Sequence, residues 1–325
     1  MHCSRSGEKR RHGCTTVPTR LICLGNVVID ITARVAALPR RGDDIIAESG
    51  AMLAGGSGFN VMTAAARLGT HTLYAGTHGT GPAGELARKA LHDEGIAIAH
   101  EPEPDIDTGW DIALTDAGAE RTFVTVVGAE GHLTSRHLST VSAAPGDTVY
   151  VSGYGLLAEP NRGAIIDWLA ALPAQVTVVT DPGPLVGTID PQSMSAVRQA
   201  TTWWSCNDRE ATALTGIAHP RDAAKVLASS GMGVVVRLGA EGCLLTAPGN
   251  DPVALPGFAM DAVDTNGAGD AHVGAYIAHL LGGFAPTEAA RRANAAAAIA
   301  ITRFGPATAP RTDELDHFLG RPTVK

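Results

Sequence analysis

Val263-Asp264-Thr265-Asn266-Gly267-Ala268-Gly269-Asp270 decides how this chain is read, together with Val273, Tyr276, Ile277 and Leu280, which follow at helical spacing. Small residues ahead of an apolar helical pattern predict a tight turn that opens a helix. The backbone N–H groups of Gly267, Ala268 and Gly269 can approach an oxyanion closely there, and the helix dipole adds positive potential. Asp270 falls in the first turn. A carboxylate beside an anion-binding turn is electrostatically awkward unless it has work to do, such as taking a proton from a hydroxyl that attacks phosphorus. The structural alternative is a helix capped by an N-terminal acid.

Outward from this stretch, Leu21 to Ile31 reads as a buried strand ending across Asn26 to Asp30. Similar β-branched runs recur at Thr148 to Ser152, Val176 to Thr180 and Val234 to Leu238. Helical patterns lie between them, with Val61, Ala64, Ala65 and Leu68 on one face and a second run over Ala164 to Leu172. Strand alternating with helix predicts a mostly parallel sheet covered on both faces. Two stretches break the rhythm, Ala33 to Met52 and Gly109 to Val127. In the second, Asp111-Ile112-Ala113-Leu114 and Arg121-Thr122-Phe123-Val124-Thr125-Val126 flank the turn Asp116-Ala117-Gly118, which predicts a β-hairpin. A hairpin within an α/β chain suggests a small sheet standing off the main body, able to cover a site.

Composition supports a large core and excludes several classes. The 325 residues are 45% hydrophobic and only 4% aromatic, which suits Ala, Val, Leu and Ile packed between helices and sheet. The formal charge is -8, but Met1 to Arg20 hold five basic residues and one acidic, so the rest carries -12. An acidic body repels duplex nucleic acid and anionic lipid, and any bound phosphate has to be held by local donors. No nucleic-acid or membrane partner is expected, and no apolar run has the length and composition of a span. The five cysteines form neither a C-x-x-C pair nor a dense even framework, which predicts a reducing, cytoplasmic setting. Residues 1–20 read as a basic extension without order.

A second glycine-rich turn, Gly55-Gly56-Ser57-Gly58-Phe59-Asn60, precedes the first helical pattern, and G-x-x-x-x-G-K-[ST] occurs nowhere, which excludes P-loop chemistry. With Asn207-Asp208-Arg209-Glu210 and Arg237-Leu238-Gly239-Ala240-Glu241-Gly242 between the two glycine-rich turns, the chain resembles the PfkB-type, ribokinase-like family of carbohydrate and nucleoside kinases. The resemblance runs from about Leu21 to Leu319. It implies a three-layer α/β/α sandwich with a mostly parallel central sheet, a kinase core over 21–322 and a β lid inserted at 31–53 and 107–128.

By position, the resemblance makes Asp270 the catalytic base and Gly267, Ala268 and Gly269 the anion hole. Asp30 becomes the acid that grips substrate hydroxyls, assisted by Gly56, Ser57 and Asn60. Glu120, Glu130 and Trp110 are further substrate contacts from the lid side. For the two acids the alternative is an exposed hairpin acid, and for Trp110 it is packing within the lid. Asn207 and Glu210 match an Asn-x-x-Glu element tied to magnesium and phosphate, with a helix-capping pair as the structural alternative. Arg237 and Gly239 would lie under the nucleotide, and Asn294 on the Ala-rich helix would approach the adenine. The cofactors implied are ATP and Mg2+, with K+ beneath the anion hole as an option, and the exposed lid edges imply a homodimer.

The sequence departs from the family pattern in several places. His272 stands where Phe is usual, Arg237 replaces the usual Thr or Ser, and Asp181-Pro182 lacks its usual neighbours, so no catalytic role is extended to Asp181. The expectation is an ATP-dependent kinase acting on a primary hydroxyl of a sugar. Its rivals are a nucleoside kinase, with Trp110 or Phe59 facing the base, and a sugar sensor without turnover.

Overall fold

A computed structural model describes residues 19–118 and 121–320. The strands are β1 (Arg20–Cys23), β2 (Val28–Arg34), β3 (Ser49–Gly55), β4 (His71–Tyr74), β5 (Ala97–Ile98), β6 (Trp110–Thr115) and β7 (Arg121–Val126), then β8 (Thr148–Ser152), β9 (Thr177–Asp181), β10 (Trp203–Asn207), β11 (Gly233–Arg237), β12 (Cys243–Thr246) and β13 (Val253–Leu255). The helices are α1 (Ser57–Arg67), α2 (Pro82–Asp93), α3 (Ser135–Leu138), α4 (Asn161–Ala170) and α5 (Pro191–Ala200), followed by α6 (Asp208–Thr215), α7 (Pro220–Ala228), α8 (Ala268–Leu281), α9 (Pro286–Ala300) and α10 (Thr312–Phe318).

Nine strands form the main sheet in the order β13-β12-β11-β10-β9-β8-β1-β4-β5, antiparallel only at β12 and β13. Strand alternation builds the two outer layers. Leu21 and Cys23 join one apolar cluster with α1, α2, α8 and α9, whereas Ile22 and Leu24 join the other with α4, α5 and α7. From β1 the chain moves one way to β4 and β5, and later the other way from β8 outward. The crevice therefore opens between β1 and β8, at the carboxyl ends of the parallel strands.

The reading of Leu21 to Ile31 as one strand is corrected. β1 stops at Cys23, and β2 belongs to a second sheet of four strands ordered β3-β2-β6-β7. Asp30 is thus a residue of the small sheet, and the lid begins earlier than expected. Antiparallel pairing of β6 with β7, Trp110 opposite Val126 and Thr115 opposite Arg121, forms the expected hairpin. Arg20 begins β1, so the N-terminal extension, apart from Thr19 and Arg20, lies outside the described residues, as does Glu120.

Candidate active site

Gly267 takes a left-handed conformation (φ 70°) where the chain enters α8, and a Cβ there would collide with the Pro306 carbonyl. Only glycine fits this turn. Asp264 holds it from below: its carboxylate accepts from Asn266 N at 2.7 Å and Gly305 N at 3.1 Å, and pairs with Arg121 from the small sheet. The small sheet is thereby fastened to the glycine-rich turn.

Asp270 sits in the first turn of α8, partly exposed at the crevice mouth. Asn60 Nδ2 of α1 donates to its Oδ2 at 2.8 Å, which orients the carboxylate. Burial pushes Asp270 up from the ordinary 3.8 to about 7; the Asn60 hydrogen bond and Arg237 pull the other way, while Asp181 and Glu210 raise it further. The carboxylate is a stronger base than its residue type alone implied. Asn60 is buried, and its Oδ1 has no hydrogen-bond partner, so it remains available to a hydroxyl donor. Ser57 bridges the crevice, donating to Asn26 Oδ1 at 3.0 Å and lying 2.7 Å from Ser152 Oγ.

From the lid, Asp30 reaches toward the same space. It is 4% exposed, its Oδ1 lacks a partner, and its carboxyl occupies the room left by Gly55, where a Cβ would collide with it. Burial pushes its pKa up, as does the charge of Asp111. Asp111 is opposite Asp30 in the parallel pairing of β2 with β6, a neighbour that sequence reasoning passed over because register between distant strands has no local signature.

Below the glycine-rich turn lies a charge network. Arg237 Nη1 donates to Asp181 Oδ2 at 2.9 Å and Ser205 Oγ at 2.6 Å, and Nη2 lies 3.5 Å from Glu210 Oε2. A Cβ on Gly269 would stand 3.4 Å from Arg237 Nε, which puts the guanidinium under the first turn of α8. Burial opposes its charge, but Asp181 and Glu210 more than offset that. Asp181, passed over in the sequence, is a member of this network. Asn207 and Glu210 form a reciprocal capping box on α6, Asn207 Oδ1 accepting from Glu210 N at 2.8 Å and Glu210 Oε2 from Asn207 N at 2.8 Å. Gly239 has a positive φ of 59° and open space around it.

Three assignments are revised. Glu130 accepts from Gly109 N at 2.7 Å and Gly128 N at 2.8 Å, so its carboxylate closes the base of the hairpin instead of facing substrate. Trp110 precedes Asp111 in β6, so it turns to the opposite face, where it packs against the core cluster that contains Ile29. Asn294 donates to Leu255 O and Pro256 O at 3.1 Å each, and its Oδ1 meets His272 Nε2 at 3.0 Å. Its amide is spent on β13 rather than offered to a base, and the buried His272 packs as its partner, held neutral by burial.

A nine-stranded, mostly parallel sheet with a separate small four-stranded sheet beside a glycine-rich helix start is the ribokinase-like architecture. A family model described as pfkB family carbohydrate kinase matches residues 18–313. The uncharacterized sugar kinase YegV of Escherichia coli is 32% identical over 310 residues, 92% of this chain and 94% of that protein. Ribokinase of Haemophilus influenzae is 28% identical over 309 residues, 92% of this chain and 98% of that protein. The structure of Arabidopsis thaliana ribokinase complexed with ribose and ATP is alike in fold, with a TM-score of 0.77 at 24% identity over 93% of this chain and 99% of that one. The chain belongs to the pfkB family of carbohydrate kinases.

The shift at Asp270 carries a pH prediction. On the reading of Asp270 as a general base, which must be unprotonated to act, kcat/KM should rise with pH through about 7 and level off above it. Stability should move the other way. Between the ordinary 3.8 and about 7 the folded Asp270 binds more proton than the unfolded chain, so its contribution is full at low pH and declines as pH rises across that window. Rate profiles and melting curves in the same buffers check both signs.

Proposed function

We propose that this protein transfers the γ-phosphoryl group of ATP to a primary hydroxyl of a sugar or sugar derivative. The observation that carries the reading is Asp270, oriented by Asn60 at the mouth of a glycine-rich helix start, with the orphan oxygen of Asp30 across the crevice. Asp30 and Asn60 take substrate hydroxyls, with Gly56 and Ser57 lining the same turn, and Asp270 accepts the proton of the attacking hydroxyl as the bond to phosphorus forms. The N–H groups of Gly267, Ala268 and Gly269 and the Arg237 guanidinium offset charge on the transferring group. Gly239 and Asn207 lie on the nucleotide side.

The acids below the turn fit magnesium. Asp181 and Glu210 offer oxygen only, and although Arg237 lies between them, burial and Asp181 still push Glu210 up, a residual repulsion that a divalent cation would relieve. Among the described residues no three His, Cys, Asp or Glu side chains form a metal cage, so the ion would complete its shell with phosphate and water. When bound it neutralises phosphate charge. A potassium ion at the loops that Asp264 gathers belongs to the same proposal, and turnover in potassium against sodium buffer tests it. A cytoplasmic setting is supported by the buried free thiols Cys23, Cys206 and Cys243, and no described helix is long and apolar enough to cross a membrane.

The nucleoside reading loses both of its aromatic platforms, since Phe59 is buried in the core and Trp110 faces away. Phe123, 48% exposed in β7 on the face of Asp111, is what a base would have to use. A panel of sugars and nucleosides with ATP consumption as readout decides among the readings. Sugar-dependent consumption supports this one, and binding without consumption would leave a sensor.

The lid also favours a homodimer. The sheet face that carries Trp110 also carries Met52 and Val124, each 58% exposed, and Val126, 41% exposed, beyond the reach of the core and beside free strand edges. Burying such a surface against a second copy is favourable. Light scattering at micromolar concentration should report twice the chain mass, and Val124→Glu should shift it toward the monomer.

A further inference from the structure

Asp30 and Asp111 lie directly opposite each other on adjacent parallel strands, and such neighbours project from the same face of a sheet. That face looks towards the start of α8: Asn266 hydrogen-bonds Asp30 and the charge of Asp270 reaches it, while Thr32 and Arg121, in phase with the pair, line an adjoining space of about 260 Å³ beside Asp264 that neither aspartate lines. Asp30 is 4% exposed, and the Oδ1 atoms of both aspartates are buried without a hydrogen-bond partner. Among the described residues no cation of the lid pairs directly with either aspartate, although Arg121 is near enough for its charge to be felt by Asp30. Arg121 is committed to Asp264, and Arg34 lies 3.4 Å from Glu48. The two carboxyls contact each other and Asn266 hydrogen-bonds Asp30, yet each keeps one buried oxygen without a donor, which is costly unless a ligand supplies one.

We infer that Asp111 is a specificity-determining residue: side by side with Asp30 it accepts hydroxyl donors from an uncharged polyol, and the pair excludes sugars that bring a phosphate or carboxylate to that side. The inference rests on the kinase reading above and narrows it. A neutral sugar provides donors to both acids, whereas an anion meets the negative charge of a mutually contacting acid pair in a desolvated place. The charge already strains the free protein, since burial and the neighbouring Asp111 both push Asp30 up.

The test compares wild type, Asp111→Ala and Asp111→Asn on neutral pentoses and hexoses, with ribose 1-phosphate as the anionic probe. Wild type should prefer a neutral sugar to ribose 1-phosphate. Asp111→Ala should raise KM for that sugar about tenfold or more, as loss of a hydrogen bond to a charged group does, with kcat within about threefold. The preference over ribose 1-phosphate should shrink. Asp111→Asn keeps an acceptor and loses the charge, so its KM should rise less and its melting temperature should exceed that of wild type; it carries the test if the alanine variant does not fold. A wild-type preference for ribose 1-phosphate, or a KM unchanged in both variants, overturns the inference while leaving the kinase intact. No turnover by wild type on any sugar removes the kinase reading and the inference together.

Discussion

Asp270→Asn should lower turnover by about three orders of magnitude, the middle of the range for loss of a general base. The substitution is nearly isosteric. The introduced amide oxygen can still accept from Asn60 Nδ2, so the 2.8 Å contact that orients the side chain survives and only basicity is lost. Removing a charge from a cluster that includes Asp181 and Glu210 should also leave the fold as stable as wild type or more so. Sugar and ATP affinities measured by calorimetry should therefore stay within a few-fold of wild type while single-turnover phosphorylation collapses. Near-normal turnover would show that the acid at this helix start is a cap and nothing more.

Asp30→Ala carries the second large effect and acts on the other half of the site. Loss of charge-assisted hydrogen bonds of about 1.5 to 3 kcal/mol predicts a fall in kcat/KM for the sugar of roughly ten- to a hundred-fold or more. ATP binding in the absence of sugar should be spared. Asp30 stands on β2 of the lid, whereas Asn207, Arg237 and Gly239 lie at the ends of β10 and β11 in the main sheet. Should ATP affinity drop as far as sugar affinity, the division of the site between lid and sheet is wrong. A melting curve separates that outcome from damage to the fold, since the variant leaves an empty space above Gly55.

Much of the architecture is legible because it is encoded over short distances. The β-branched run at Thr148–Ser152 is a strand with the same limits, the pattern at Val61, Ala64, Ala65 and Leu68 lies on α1 and its C-cap, and the turn at Asp116-Ala117-Gly118 joins a true hairpin. Asp270 at the start of α8 and Asn60 on α1 likewise stand where their glycine-rich turns predict them. Side-chain partnerships were less legible. Glu130 belongs to Gly109 and Gly128, and Asn294 to His272 and β13, because buried polar groups take whatever donors and acceptors the fold brings near.

The sequence by itself determined the alternation of strand and helix, the hairpin, and the glycine-rich helix start with its single acid, since each depends on residue period or on local backbone freedom. Tertiary structure alone decided that Leu21 to Arg34 is shared between two sheets, with the break at Gly25 and Asn26. It also brought Asp111 beside Asp30 and set Arg237 between Asp181 and Glu210. Strand period says which residues share a face but not which distant strand lies next to it, and the push on Asp270 to about 7 comes from burial and charges contributed by remote segments.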